Sequence, residues 1–194
     1  MNLKATIGME THVELDTKSK MFCSCEVVET DEPNISVCPT CLGLPGALPV
    51  PNKTAIEYIV MLSLGANCKI TNEGMFHRKN YFYPDLPKNY QISQFDFPVG
   101  VNGSLEIVLD EKLHSVEIER VHMEEDTGKS VHIGSGRIDS ATSTLLDFNR
   151  SGIPLVEVVT KPVISTSKMA VAYIEELRQL VIDLGISKGK LEKG

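Results

Sequence analysis

The stretch RVHMEEDTGK, residues 120–129, decides the fold, because three consecutive carboxylates directly follow apolar strand positions. In a strand whose side chains alternate between two faces, Glu125 shares a face with Val121 and Met123 and is expected to point inward. A buried carboxylate persists only if it is paired, protonated or bound to a cation. The stretch therefore predicts a hard-metal site at Glu125, and the alternative is a solvated turn that ends the strand. Glu124 and Asp126 would fall on the other face, wet or hydrogen-bonded at the turn, so Glu124→Gln should be far milder than Glu125→Gln.

The composition is that of an ordinary globular domain. The 194 residues are 42% hydrophobic and 23% charged, which suffices for one substantial core. The apolar runs are too short to span a bilayer, and the first residues do not resemble a secretory signal, so we expect a cytoplasmic protein without a membrane segment. A net charge of -7 argues against a broad phosphate-binding surface. Any contact with nucleic acid should therefore be local.

Four of the five cysteines have metal-ligand spacing. Cys23 and Cys25 form a C-x-C pair, and Cys38 and Cys41 form a C-x-x-C pair after a short polar loop. Two close pairs of thiolates suit tetrahedral Zn²⁺ in a closed structural site. The alternative is two disulfides or four unliganded thiols. We therefore expect a small zinc knuckle, in which the metal replaces a hydrophobic core.

Polar side chains also occupy strand positions at both ends of the chain. Glu10 and His12 are two residues apart and point the same way, so they suit either one cation or an acid and base pair. The alternative is the polar face of a half-exposed strand. Glu157 lies in an apolar run and shares its face with Leu155, so it should pair with a cation such as Arg150 or join a metal site.

Residues 77–94, HRKNYFYPDLPKNYQISQ, combine aromatic rings with cations in a segment that contains two prolines. Cations can meet phosphates, and rings can stack on a base, so this segment is a candidate contact for ATP or an RNA end. The alternative is an aromatic edge strand followed by a loop.

The remaining patterns predict helices and paired strands. Helical periodicity appears in residues 53–67, with Asn52 as the N-cap, and in residues 167–184, with Ser165 or Ser167 as the cap and Gly185 as the stop. The strands between them should be antiparallel. Asn102 and Gly103 give the strongest turn signal, and residues 110–112 give a second.

These segments together resemble the N-terminal part of the B subunits of aspartyl/glutamyl-tRNA amidotransferases. The resemblance rests on long motifs in order: IGMETHVELDTKSKMF, CPTCLGLPGALPVPNK, RKNYFYPDLPKNYQISQFD, RVHMEEDTGK, DFNRSGIPLVEVVTKP and AVAYIEELRQLVIDLGIS. It implies an α+β fold, a mainly antiparallel sheet cradle with flanking helices, similar to glutamine synthetase and guanido kinases. Residues 1–194 would form this catalytic cradle, incomplete at its C-terminal end, with residues 20–48 as the zinc-knuckle insertion.

The resemblance also implies an activity. With ATP, the B-type protein activates the side-chain carboxylate of Glu-tRNA(Gln) or Asp-tRNA(Asn), and the activated carboxylate is amidated by ammonia channelled from the glutaminase A subunit. A small C subunit completes the heterotrimer. Because B subunits are longer, the chain would be a fragment or a shortened paralogue, inactive in isolation.

The resemblance assigns residues to these roles. The implied catalytic residues are Glu10, His12, Glu125 and Glu157, of which His12, Glu125 and Glu157 would hold Mg²⁺. The residues implied to line the nucleotide or the tRNA acceptor end are Lys79, Tyr81, Tyr83, Lys88 and Arg150. The four cysteines would hold structural zinc.

Two other functions remain open. One is a non-catalytic, zinc-containing tRNA-binding or scaffold module, whose tRNA binding would survive carboxylate substitutions but fail when Cys38 or Cys41 is changed. The other is a ligase of the same fold that activates the carboxylate of a small amino acid.

Overall fold

The structure is a computed structural model that describes residues 4–134 and 141–190. Its strands are β1 (Glu10–Glu14), β2 (Lys69–Ile70), β3 (His77–Asn80), β4 (Tyr90–Ser93), β5 (Gly100–Leu109), β6 (Lys112–Glu125), β7 (Lys129–Ile133), β8 (Ser143–Asp147) and β9 (Pro154–Thr160). The two helices are α1 (Lys53–Gly65) and α2 (Ser167–Asp183). The described residues thus form the expected α+β fold with a mostly antiparallel sheet.

The long strand β6 is the centre of a seven-stranded antiparallel sheet. The sheet runs in the order β1-β9-β6-β4-β3, and β5 pairs with both β6 and β2. The end of β6 that carries the carboxylates therefore has β9 on one side and β4 on the other, with Ser93 in register with Glu124. β7 and β8 form a separate two-stranded sheet.

The register of β1, β9 and β6 brings three polar residues into one row. His12 pairs with Glu157, and Glu157 pairs on its other side with His122. Residues directly opposite in an antiparallel pair project to the same face, and residues two apart on one strand share that face. Glu124 therefore projects from the same face as this row. The opposite face carries apolar residues of the main core.

Both helices contribute to that core. Buried residues of α1 (Ala55, Ile59 and Leu62) and of α2 (Tyr173, Leu177 and Val181) belong to one cluster with buried sheet residues such as Val121, Met123 and Val156. Asn52 caps α1 by accepting the N–H groups of Thr54 and Ala55, as its sequence position predicts. The expected cap of α2 is wrong: the hydroxyl of Thr166, between the two expected serines, accepts the N–H of Met169 at 3.1 Å.

The turn predicted at residues 110–112 is present, whereas the turn predicted at Asn102 and Gly103 is not. The chain reverses between β5 and β6 at Asp110 and Glu111, and both have positive φ (49° and 61°). Asn102 also has positive φ, 52°, but it lies inside β5 and the strand continues through it. The pairing of β5 with β6 keeps the same register on both sides of Asn102, so this residue does not reverse the chain.

The segment between β1 and α1 contains Cys23, Cys25, Cys38 and Cys41 and folds through turns rather than helices or strands. It is anchored to the last residue of β8 and to the residues that follow it. Asn34 donates its backbone N–H to Asp147 Oδ1 at 3.0 Å, and its side-chain oxygen accepts the N–H of Phe148 at 2.8 Å. The N–H of Ser36 donates to Asn149 Oδ1 at 2.9 Å. These bonds fix the position of this segment against β8 and the residues that follow it.

Neither helix of the described residues combines the length and apolarity needed to cross a lipid bilayer.

Candidate functional site

A histidine and two glutamates converge on the polar face of the sheet. His12 Nε2 lies 3.6 Å from Glu124 Oε2 and 3.9 Å from Glu157 Oε2. One ligand atom from each residue can be chosen so that all three lie within 4.8 Å of one another. We refer to His12, Glu124 and Glu157 as the His–Glu–Glu group. Both carboxylates are buried, whereas 45% of the His12 side chain is exposed, so the group is open to the outside through its imidazole.

His122 is a fourth member of this region, which sequence reasoning missed. Its side chain is fully buried, and its Nε2 lies 3.0 Å from Glu157 Oε2 and 3.5 Å from Glu124 Oε1. The sequence does contain a signal for it: His122 lies two residues before Glu124 on the same strand, and residues at this spacing project from one face.

Mutual contacts shift the pKa values of the group. Burial would raise the pKa of Glu124, but the contacts with His12 and His122 and the charge of Lys79 hold it well below its usual range. His122 lowers the pKa of Glu157 in the same way, against a smaller effect of burial. The close contact with the Glu124 carboxylate raises the pKa of His12. These shifts keep both glutamates ionised at neutral pH, the state in which carboxylates bind cations.

The group contains buried polar atoms that the protein itself leaves unsatisfied. Among the described residues, Glu124 Oε2 and both ring nitrogens of His122 make no hydrogen bond of acceptable geometry. A buried charged oxygen without a hydrogen bond is costly, whereas a bound cation would satisfy it. An imidazole and two ionised carboxylates therefore fit a divalent cation at this position.

The His–Glu–Glu group opens into a cleft of about 650 Å³. His12 and Glu124 lie on its surface, and two of the predicted cations, Lys79 and Arg150, line it. Lys79 Nζ is 3.7 Å from Glu124 Oε1, and Arg150 Nε is 3.3 Å from Asp126 Oδ2. The other lining residues are Glu14, Val27, Val28, Glu29, Thr30, Gln91, Asp126, Lys129, Asp147, Asn149, Ile153 and Leu155. Cations and carboxylates thus face the same space.

Glu125, the expected metal ligand, lies elsewhere. It points to the other face of β6, as the strand phase predicted, and forms a buried ion pair with Lys88. The same carboxylate accepts the N–H of Ile92 at 3.1 Å. Of the two states expected for Glu124, the wet one is wrong, because only 2% of it is exposed, and its Oε1 accepts a hydrogen bond from the Ser93 hydroxyl at 3.0 Å. The physical reason is that the polar face is also covered at this point, by Ser93, His122 and the cleft wall.

The remaining predicted residues divide into two sets. Lys88 is held by Glu125, and only 7% of its side chain is exposed, so it is committed to that ion pair rather than to the cleft. Glu10 is an exposed residue on the same face as His12 and is outside the His–Glu–Glu group. Tyr81 is half-buried, and its pKa is raised, first by burial and then by the surrounding carboxylates. Tyr83 is exposed, in the loop between β3 and β4.

The four cysteines form a second cluster. Cys41 Sγ is 3.6 Å from Cys23 Sγ, 3.6 Å from Cys38 Sγ and 3.7 Å from Cys25 Sγ. Sulfurs around tetrahedral zinc, with Zn–S bonds of about 2.3 Å, lie about 3.8 Å apart. These spacings therefore fit a tetrathiolate metal site, and all four thiols are free of disulfides.

Thiol pKa values within the cluster diverge. The hydrogen bond with Cys23 lowers the pKa of Cys41 to about 4, and the same bond raises the pKa of Cys23. Burial is the first cause that raises the pKa of Cys25 to about 11. The cluster therefore already favours one thiolate, at Cys41, which is a starting point for metal ligation. The fifth cysteine, Cys68, lies apart in the core, as expected, and burial raises its pKa to about 11.

The fold and the two sites define a class of protein: an α+β domain with an open His–Glu–Glu group and a separate four-cysteine cluster. The chain belongs to the GatB/GatE catalytic domain family, whose model matches residues 5–194.

Curated relatives agree with this assignment. A Frankia casuarinae protein, named as the B subunit of an aspartyl/glutamyl-tRNA(Asn/Gln) amidotransferase, is 55% identical over 190 residues, covering 97% of this chain and 38% of the relative. Proteins of the same name from Nocardia farcinica and Mycobacterium avium are 54% and 52% identical, with 97% of this chain and 39% of each relative covered. The chain thus spans somewhat over a third of the length of these relatives.

Proposed function

We propose that this chain is the catalytic domain of a tRNA-dependent amidotransferase. With ATP, it activates the side-chain carboxylate of Glu-tRNA(Gln), Asp-tRNA(Asn) or both. The activated carboxylate then receives ammonia channelled from a glutaminase A subunit, and a small C subunit completes a heterotrimer. The family membership and the names of the relatives support this proposal. The reaction belongs to protein synthesis and would take place in the cytoplasm.

The single observation that carries the proposal is the His–Glu–Glu group in a cleft that also presents cations. Phosphoryl transfer requires mainly positioning and the neutralisation of developing negative charge. His12, Glu124 and Glu157 would hold a divalent cation there, and that cation would supply charge neutralisation for a phosphate. Lys79 and Arg150 line the same cleft and can meet phosphate or carboxylate oxygens. The cleft therefore offers what the activation of a carboxylate needs.

We propose Glu124 as a metal ligand in place of Glu125. Two carboxylates favour Mg²⁺ or Mn²⁺, and the imidazole also permits a transition metal. Glu125 keeps a role next to the site, because its ion pair with Lys88 attaches the loop after β3 to the end of β6. That loop carries Tyr81 and Tyr83, which we retain as candidate contacts for the nucleotide or the acceptor end of the tRNA.

Two further expectations are part of the proposal. We propose that residues 20–48 form a structural zinc knuckle, supported by the sulfur spacings of the four cysteines. We also propose that the sheet and helices form a cradle similar to that of glutamine synthetase and guanido kinases, with residues 1–194 as one domain. A mainly antiparallel sheet with its polar face towards the cleft is compatible with such a cradle.

The test is a substitution in the full-length protein assembled with its glutaminase partner. Glu124→Gln should reduce ATP-dependent amidation of the mischarged tRNA by at least about 100-fold, since a lost ligand removes several kcal/mol of charge stabilisation. Glutamine hydrolysis on the partner should continue. The assay should be run with Mg²⁺, Mn²⁺ and Zn²⁺ in turn to identify the activating cation.

A matched control is available on the same strand. Glu117 is exposed and pairs only with the surface residue Lys161 among the ion pairs of the described residues. Glu117→Gln should therefore leave amidation unchanged. Normal amidation by Glu124→Gln would refute the proposed site. Hydrolysis of ATP with free glutamate, at the rate seen with glutamyl-tRNA, would instead favour a ligase for small amino acids.

A further inference from the structure

Lys20 is a fully buried lysine beside the cysteine cluster, and its exposed fraction is 0%. Burying an ammonium group costs several kcal/mol unless other groups compensate its charge. Lysine is rarely buried completely without such a partner. The surroundings of the Lys20 ammonium group therefore require an explanation that the sequence pattern does not supply.

The partners of the Lys20 ammonium are two carbonyl oxygens and one sulfur. Its Nζ donates to Ser36 O at 2.7 Å and to Phe148 O at 3.1 Å. The third contact is with Cys41 Sγ at 3.6 Å. None of the ion pairs found among residues 4–134 and 141–190 includes Lys20. The carbonyls satisfy two of its hydrogen-bond donors, and of its three hydrogen-bond partners only the sulfur can carry a full negative charge.

A loaded tetrathiolate site would supply that charge. Four thiolates and one Zn²⁺ carry a net charge of about −2, and a cation that donates an N–H to one sulfur reduces it. Groups that hydrogen-bond to metal ligands orient them and tune the affinity for the metal. Cys41 is suited to receive this bond, because its sulfur lies within 3.7 Å of each of the other three.

We propose that Lys20 is a positioning residue that neutralises part of the charge of the metal-loaded cysteine cluster and docks it onto the catalytic domain. This inference rests on the proposed zinc site. The bond from Lys20 to the carbonyl of Phe148 attaches the cluster to the rest of the domain. Phe148 lies in the segment after β8, two residues before the cleft residue Arg150. One ammonium group thus joins the metal ligand Cys41, the loop at Ser36 and the segment that leads to the cleft.

The test measures metal affinity in the full chain. Zinc-loaded native protein and two variants are titrated with a chromophoric chelator. Lys20→Met keeps the length of the side chain and removes its charge and its donor, whereas Lys20→Gln removes the charge and keeps a donor. Both should bind zinc about 10- to 100-fold more weakly than the native chain. Lys18→Met is the matched control, because Lys18 is an exposed lysine two residues away, and its affinity should equal the native one.

Thermal unfolding gives a second readout that simple packing would not produce. With zinc bound, Lys20→Met should lower the melting temperature, because the cluster loses its counter-charge. After chelation the cluster keeps one thiolate, at Cys41, instead of four, so Lys20 faces much less negative charge. The same substitution should then lower the melting temperature by less than it does with zinc bound.

Each other outcome overturns part of the proposal. Equal zinc affinity in native protein and both variants, or an equal loss of melting temperature with and without metal, would show that Lys20 only fills space. Native affinity in Lys20→Gln alone would assign the effect to the hydrogen bond and not to charge. A variant that stays unfolded in saturating zinc would also contradict the proposal, because a 100-fold weaker site is still filled there. A native chain that binds no zinc would remove the zinc site itself.

Discussion

Neighbouring residues of β6 have different environments, although both are buried carboxylates. Glu124 joins His12 and Glu157 on the polar face, whereas Glu125 pairs with Lys88 on the other face. Burial alone therefore does not identify a metal ligand, because an ion pair satisfies a carboxylate equally well. The identity of the nearest cationic or polar neighbours separates the two roles.

The Lys88–Glu125 pair provides a prediction for stability. Glu125→Gln or Lys88→Met should each lower the free energy of unfolding by about 3–5 kcal/mol, because each leaves one buried group uncompensated. Urea denaturation measures this loss. Replacing both residues together with apolar ones should cost less than the two single losses combined, about 1–3 kcal/mol, because the N–H of Ile92 then remains unpaired.

The surface pair Lys161–Glu117 is the control for that prediction. Its N–O distance is 2.9 Å, and 41% of the Lys161 side chain and 54% of the Glu117 side chain are exposed. Exposed ion pairs contribute about 0–1 kcal/mol, so Lys161→Met should change the free energy of unfolding by no more than about that amount. If Glu125→Gln had an equally small effect, the Lys88–Glu125 pair would not be buried in solution as the structure describes.

At the level of elements, the caps of the two helices differ in how many contacts they make. Thr166 accepts one backbone N–H at the start of α2. Asn52 accepts two at the start of α1 and also donates its side-chain amide to Ser19 O at 2.9 Å. Asn52 therefore attaches the helix to the segment that carries Lys20 and the cysteines, in addition to capping it.

The difference predicts unequal losses of stability. Thr166→Ala should cost about 1 kcal/mol, the usual contribution of an N-cap. Asn52→Ala should cost about 2 kcal/mol, because the bond to Ser19 O is lost as well. Asn52→Asp keeps the acceptor and loses the donor, so it should fall between the native chain and Asn52→Ala. Chemical denaturation of the zinc-loaded chain would compare all three, and equal losses in the two alanine variants would show that the bond to Ser19 contributes nothing.

On the scale of the whole molecule, the two candidate metal groups lie in different parts of the fold. The His–Glu–Glu group lies on the central sheet and opens to the cleft, whereas the cysteines lie in a segment that has almost no secondary structure. Structural zinc can contribute on the order of 10–16 kcal/mol to the folding of small finger peptides. The cysteine cluster is thus suited to hold the segment that forms part of the cleft wall, and the His–Glu–Glu group is suited to chemistry.

This separation predicts that substitutions in the two groups have different signatures. Cys41→Ser should lose zinc and lower the melting temperature. Glu124→Gln should keep one zinc per chain and melt close to the native protein while amidation by the full-length enzyme fails. Metal analysis, thermal melting and the amidation assay distinguish the two. Intact amidation with Glu124→Gln, together with tRNA binding that is lost in Cys41→Ser, would instead favour the non-catalytic tRNA-binding module.

The sequence by itself determined the features that depend on residues close together in the chain. The spacing of Cys23, Cys25, Cys38 and Cys41 predicted a cluster that the structure contains. Helical periodicity predicted α1 and α2 to within two residues at each end, and alternation placed Glu10 with His12 and Glu125 with Met123. The physical reason is that backbone geometry fixes which neighbouring side chains share a face.

Only the tertiary structure decided which carboxylate accompanies His12 and Glu157. That choice depends on the register of β1, β9 and β6, which are far apart in sequence: His12 opposes Glu157, and Glu157 opposes His122. Opposed residues share a face, so this register selects Glu124 and excludes Glu125. Likewise, the contacts of Lys20 with Cys41 and Phe148 exist only after distant segments meet. Local patterns determine which residues of one strand share a face. Only the long-range pairing of strands determines which residues of different strands meet on that face.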